Sequence, residues 1–366
     1  MSNPYYGSSN SSSDSCTNVD DLVKRYYLPA MYGAIFIVGV VGNITALLVY
    51  VVKVRPWRSS TIIMVNLVIT DLLFMISMPF LTYYYVSDDS WTLGVIMCRF
   101  TRFIFHFNLY GSILFLTCLA IFRYVAVVHP SHGRIIKQKR WGTLACVLGW
   151  TVAVAEISPV FNHFDTVPQN NKTYCLDLAS SNPQIMWPYS WVLTVLGYLV
   201  PLIVVCICYW RIMKVLKKGP HTGSSKRVRA RRLIVLILTC FIVCFFPFHV
   251  LRALRIYTSV SDDSWTLGVI MCRFTRFIFH FNLYGSILFL TCLAIFRYVA
   301  VVHPSHGRII KQKRWGTLAC VLGWTVAVAE ISPVFNHFDT VPQNNKTYCW
   351  ISRAATHKSC GRIVGC

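Results

Sequence analysis

Residues Cys98–Tyr124 read CRFTRFIFHFNLYGSILFLTCLAIFRY. Between Arg102 and Arg123 no residue carries a formal charge, and most are apolar or aromatic. About 20 such residues in a helix cross the hydrocarbon core of a bilayer, and here the cations stand only at the two ends. The stretch predicts a membrane span. Composition agrees. The chain has 366 residues, 55% hydrophobic and 13% charged, with mean hydropathy +0.53. Soluble domains carry roughly 25% charged residues, so this chain lacks the charge to cover a water-facing surface.

Outward from that stretch, the same criterion predicts spans at Leu28–Val52, Thr61–Tyr84, Met97–Val128, Trp141–Val160, Trp191–Val215 and Leu233–Leu254. Two more fall at Met271–Val302 and Trp315–Val334. They are copies: every residue from Val86 to Cys175 reappears, letter for letter, from Val260 to Cys349. The expected organisation is an N-terminal tail (1–27), six helices (28–257), the duplicate (260–349) and a short tail (350–366). The fold class is all-α, a multi-pass helix bundle. The opening MSNPYYGSSNSSSDSC lacks a basic stretch followed by an apolar core, so no cleavable signal is expected and the first span serves for insertion.

The formal charge is +22, and the repeat supplies only a small part of it. The excess sits in short segments between apolar runs, which fits cytoplasmic loops better than a nucleic-acid surface. Lys53, Arg55 and Arg58 follow the first span. Arg134, Lys137, Lys139 and Arg140 follow the third, and a run from Lys217 to Arg232 follows the fifth. Asp88, Asp89, Asp165 and Asp177 lie in the opposite loops. The N-terminus is therefore expected outside, where Asn10 and Asn171 head glycosylation sequons. The tail WISRAATHKSCGRIVGC carries cations on what would be the outer side, against the same rule.

Polar groups inside apolar helices are costly and so informative. Asn43 and Asp71 are two, and Asp71 needs partners, a cation or a proton. Asn43, Asn108 and Ser112 are the expected neighbours. Pro79, Pro159, Pro201 and Pro247 interrupt apolar segments, and each removes a backbone donor.

These marks together resemble the rhodopsin-like (class A) G-protein-coupled receptors. They are Gly42-Asn43, Leu67 to Asp71, Trp91 with Cys98, Arg123-Tyr124, Trp150, Pro201 with Tyr209, and CFFPF at Cys244–Phe248. FHFNLYGSILFLTCLAIFRY and PFHVLRALRI are most similar to the receptors of the 2-oxoglutarate and purinergic type. The resemblance implies a plasma-membrane receptor, a disulfide between Cys98 and Cys175, and a small ligand. It also implies coupling to a heterotrimeric G protein around Arg123, Tyr209 and Arg231. It implies no enzyme and no cofactor or metal. Two departures stand out. Phe122 precedes Arg123 where the family usually has Asp, and no Asn-Pro-x-x-Tyr follows Tyr257. The second copy stands where the seventh helix belongs.

Arg99, Arg102 and His106 share one face of the third span, and His249, Arg252 and Arg255 succeed one another at i+3 steps on the sixth. A lone terminal Arg reads most simply as snorkelling into headgroups. The resemblance instead turns Arg102, His106 and Arg252 toward the bundle interior, with Tyr110, and Arg pairs with carboxylate or phosphate through a bidentate fork. The expected ligand set is Arg99, Arg102, His106, Tyr110, His249, Arg252 and Arg255. Its guest would be a small anion, most simply a dicarboxylate such as 2-oxoglutarate. Tyr83 and Tyr84 are further lining candidates. The alternatives are a nucleotide or cysteinyl-leukotriene type of receptor, a transporter, or a chimeric chain without a working seventh helix. Transporter repeats diverge in sequence and put their sites at the midplane. An identical repeat that starts and stops in loops points instead to duplication of the coding sequence or to one segment assembled twice. The copied Met271–Val302 is expected to fill the seventh slot, bringing Arg276, His280 and Asn282 with it, and Cys272 close to Cys16.

Overall fold

The computed structural model describes residues 26–87, 90–164, 166–169, 172–175, 183–218, 240–250 and 252–253. Beyond these it describes single helical positions at 238, 270, 273, 274, 277, 321, 325 and 328, and the backbone of 338–343 and 346–351. Arg231, Arg255, Asn10, Asn171, Cys16, Cys272, Arg276, His280, Asn282, the four loop aspartates and the C-terminal tail lie outside the described residues.

The first span is helical over Leu28–Val52, the second over Ser59–Val86 and the third over Gly94–Val128. Their apolar character is not confined to one face. On the first span Tyr32, Ile35, Ala46, Val49 and Tyr50 are buried, while Ile37, Val41, Ile44 and Leu48 stand exposed. A water-facing helix would be polar on that second face. An apolar exposed face is what lipid requires, and the backbone polar groups are satisfied within each helix. Together with the fifth span, these helices are long and apolar enough to cross a membrane.

The fourth helix, Lys139–Ile157, is shorter than its apolar run. It passes into a tight turn, Ser158–His163, where Pro159 cannot continue it. A strand hairpin follows: β1 (Thr166–Gln169) pairs antiparallel with β2 (Lys172–Cys175). The fifth span runs as Pro183–Thr194, a wide turn at Val195–Leu199, then Val200–Lys218. In the sixth, a second wide turn at Cys240–Phe245 precedes Pro247. Pro201 and Pro247 leave a carbonyl one turn earlier without its N–H, and the widened turns fall there.

Two kinds of element go beyond the sequence-based expectation. A short helix, Pro130–Ile136, occupies the basic loop after the third span, with Pro130 at its start. The copied segment makes its own hairpin, β3 (Phe338–Gln343) with β4 (Lys346–Ile351). The all-α architecture thus carries two small hairpins.

The second span packs on the first, third and fourth, and the third packs on the fourth and fifth. Trp150 of the fourth donates from Nε1 to Asn66 Oδ1 of the second at 2.7 Å, with Phe107 stacked on its ring and Phe115 edge-on. At one end of the bundle, Ser59 N–H donates to the Lys137 carbonyl and its hydroxyl to the Ile136 and Gln138 carbonyls. This brings the basic loops after the first and third spans together. At the other end, Cys98 is bonded to Cys175, and Trp91 N–H donates to the Thr173 carbonyl at 2.7 Å. The disulfide pairing implied by the family resemblance is the one formed. Of the copied segment, Phe277 packs against a cluster of Met31, Tyr32, Ile35, Phe74, Met75 and Met78 from the first and second spans.

Gly142 marks a close helix approach. A Cβ there would stand 2.5 Å from Ser59 Cα and 2.8 Å from its carbonyl oxygen. Backbone cannot yield as a flexible side chain does, and overpacking of this kind costs about 1–3 kcal/mol. Gly142→Ala is therefore expected to lower the thermal unfolding midpoint of the detergent-solubilised chain, with a matching loss of yield.

Candidate functional site

The polar groups of the spans form two sets at different depths. The deeper set is built on Asp71, which is buried in the second span. Asn108 of the third donates to its Oδ1 at 3.2 Å. Ser112, one turn on, reaches the Thr70 hydroxyl at 3.5 Å rather than the carboxylate. Asn43 differs from expectation. It is buried, but its Nδ2 donates to the Gly39 carbonyl of its own helix at 2.9 Å. An i−4 carbonyl is within its reach, so it does not need Asp71.

The second set lies toward the hairpin. Arg99 Nε donates to the Phe164 carbonyl at 3.0 Å, and Arg102 Nη2 to the Cys175 carbonyl at 2.8 Å. Both guanidinium groups are thus turned onto the segment that the disulfide ties down, not into lipid. His106, buried, donates from Nδ1 to the Arg102 carbonyl at 2.9 Å and stacks on Phe164. From the sixth span, Arg252 Nη1 donates to the Tyr110 hydroxyl at 2.7 Å. His249 is 1% exposed and stacks on Tyr198 with ring centroids 4.5 Å apart. Five members of the expected ligand set, Arg102, His106, Tyr110, His249 and Arg252, therefore gather between the third, fifth and sixth spans. Arg99 sits at the rim. Tyr83 is largely exposed, with its hydroxyl 3.0 Å from that of Thr92, and Tyr84 packs against Tyr85 and Trp91. Neither of these contacts reaches the cationic set.

Several polar atoms here are buried without a hydrogen-bond partner: Arg102 Nε, Arg252 Nη2 and both ring nitrogens of His249. A buried polar atom left unpaired costs about 1–3 kcal/mol, more if charged. A site that leaves four is shaped around something it does not itself supply.

Three residues outside the sequence-based set join this neighbourhood. Tyr198 stacks on His249 and donates from its hydroxyl to the Phe241 carbonyl at 3.0 Å, joining the fifth span to the sixth. Tyr189 donates to the Glu156 carbonyl, and its phenol lies within electrostatic reach of Tyr110, Arg252 and Glu156. Glu156 carries a signal in the sequence: a lone acid in the apolar run TVAVAEISPV. Nothing in the sequence marks the two tyrosines, since aromatic residues near membrane interfaces are common.

At the basic end, Tyr209 is buried within reach of the Arg123 guanidinium. This juxtaposes the third and fifth spans well below the cationic set.

The family model described as 7 transmembrane receptor (rhodopsin family) matches residues 42–262, and again 253–364. The chain belongs to this family. It is a multi-pass membrane protein of a receptor family, not an enzyme. The second match falls on the copied segment and its flanks. Among relatives, 2-oxoglutarate receptor 1 of Rattus norvegicus is 45% identical over 69% of this chain and 76% of its own length. Succinate receptor 1 of Rattus norvegicus is 36% identical over 69% of this chain and 81% of its own. A purinoceptor of Homo sapiens is 37% identical over 69% of each.

Tyr110 is the acceptor that the structure gives Arg252. Tyr110→Phe leaves that buried guanidinium N–H unpaired, at about 1–3 kcal/mol. The ligand-free chain is expected to unfold several degrees lower by differential scanning fluorimetry.

Proposed function

We propose that this chain is a plasma-membrane G-protein-coupled receptor for a small dianionic metabolite, a dicarboxylate such as 2-oxoglutarate. Its N-terminus and first hairpin would lie outside. The observation that carries this reading is the pair Arg102 and Arg252, held inward from different spans. Each spends one nitrogen on the protein and keeps another buried and unused. Guanidinium groups out of water are tolerated when an anion takes their donors, and the fork geometry suits a carboxylate. His106 and His249 add donors between them. Two carboxylates on one short carbon chain would give each Arg its own partner. Two of the relatives are named for 2-oxoglutarate and succinate, both dicarboxylates. The purinoceptor relatives favour a nucleotide as the second reading.

Orientation follows from charge. The basic loops gather at one end, which the Lys/Arg rule assigns to the cytoplasm, and the Cys98–Cys175 disulfide belongs on the oxidising side. An anion shared by Arg102 and Arg252 would draw the third and sixth spans together at the outer end. The widened turn before Pro247 is the compliant point about which the inner half of the sixth span would swing. Signalling is then a population shift toward a state with an open inner cleft near Arg123 and Tyr209, where a G protein would dock. Phe277 against the first and second spans supports the copied helix as the element that closes the bundle in the seventh slot.

In cells expressing the full chain, 2-oxoglutarate and succinate are expected to raise a G-protein second messenger. Arg252→Ala and Arg102→Gln should each cut potency by about 30-fold or more at unchanged surface level, as for loss of one partner of a buried charge pair. An unchanged response in both variants would remove the site.

A further inference from the structure

Among the described residues of the six spans, Asp71 and Glu156 are the only acids. Asp71 has Asn108. Glu156, at the end of the fourth helix, has a buried Oε2 with no hydrogen-bond partner. Its position is set by Gly197 in the widened turn of the fifth span. A Cβ on Gly197 would stand 2.6 Å from Tyr110 Cε1 and 3.6 Å from Glu156 Oε2, so the missing side chain lets the Tyr110 ring and the carboxyl approach the same spot. The far end of Tyr110 accepts from Arg252, whose Nη2 is itself unpartnered. Tyr189 holds the Glu156 backbone, and its phenol lies within electrostatic reach of both Glu156 and Arg252. A carboxyl and a guanidinium therefore flank one tyrosine, each with an unused buried valence.

We propose that Glu156 is a specificity-determining residue that caps the negative charge the cationic site accepts. The site's cations attract anions of every valence. A fixed carboxylate behind Tyr110 offsets part of that field, and its repulsion grows in proportion to the charge of the guest. In a poorly screened interior, one unit charge several ångströms away changes affinity on the order of tenfold per ligand charge. Dianions are thereby retained while more highly charged guests are disfavoured. This rests on reading Arg102 and Arg252 as an anion site, though not on which anion fills it.

The test uses the full chain in lipid nanodiscs and three probes on a similar carbon skeleton: butyrate, succinate and tricarballylate, with one, two and three carboxylates. Dissociation constants are measured by calorimetry for the wild type, Glu156→Gln, Glu156→Asp and Arg252→Ala. Glu156→Gln is expected to tighten binding, least for butyrate and most for tricarballylate, while Glu156→Asp keeps the wild-type order. Should Glu156→Gln fail to fold, Glu156→Asn serves as the second neutral variant. A gain independent of carboxylate number, or no gain, overturns the role of Glu156. If Arg252→Ala abolishes binding at the same time, the anion site itself stands. If no probe binds the wild type, or Arg252→Ala changes nothing, the site falls and Glu156 with it.

Discussion

A polar atom inside hydrocarbon has no water to turn to, so it must find its partner in the protein. This constraint organises the bundle. Trp150 meets Asn66 across the second and fourth spans, Asn108 meets Asp71 across the second and third, and Arg252 meets Tyr110 across the third and sixth. Apolar packing between helices cannot by itself fix which faces meet, because lipid tails are as apolar as the side chains they replace. The few interhelical hydrogen bonds supply that information. Where they are incomplete, at Arg102, Arg252, His249 and Glu156, the chain keeps binding capacity.

The two ends of the bundle are tied differently. At the basic end the links are hydrogen bonds to backbone carbonyls, from Ser59 to the loop after the third span. At the other end a covalent bond fixes the hairpin to the third span, and Arg99 and Arg102 lean on carbonyl groups of the same connection. Cations that would otherwise seek headgroups are thus recruited into a roof over the cationic set. Snorkelling is the usual fate of a terminal Arg. Here the tethered loop supplies nearer acceptors.

Much of this is legible in the letters. The first three spans begin and end within a few residues of the apolar runs, because an uncharged stretch bounded by Arg or Lys leaves little choice. The convergence of Arg102, His106 and Arg252 follows from helical spacing joined to the family resemblance. Hydropathy draws the fourth span too long, because Pro159 lies within its apolar run and hydropathy does not register a missing N–H. It also passes over the hairpin at Thr166–Cys175, although Asn170-Asn171 between two short β-prone runs is a turn signal. Asn43 takes a partner other than the expected Asp71, since its choice between a neighbour and its own backbone depends on rotamer, not on sequence. Glu156 is easily missed beside Asp71, although the same argument about buried acids applies to both.

The duplicate offers a comparison that few molecules contain. Thr166 faces Cys175 in the first hairpin, and Thr340 faces Cys349 in the second, with every pair between them in matching alignment. The residues that flank the two copies differ, yet the ribbon closes alike. Instructions for that ribbon must therefore reside in its own few letters and not in its neighbours, which makes it a portable module: grafted onto another loop of suitable span, it should carry its alignment along.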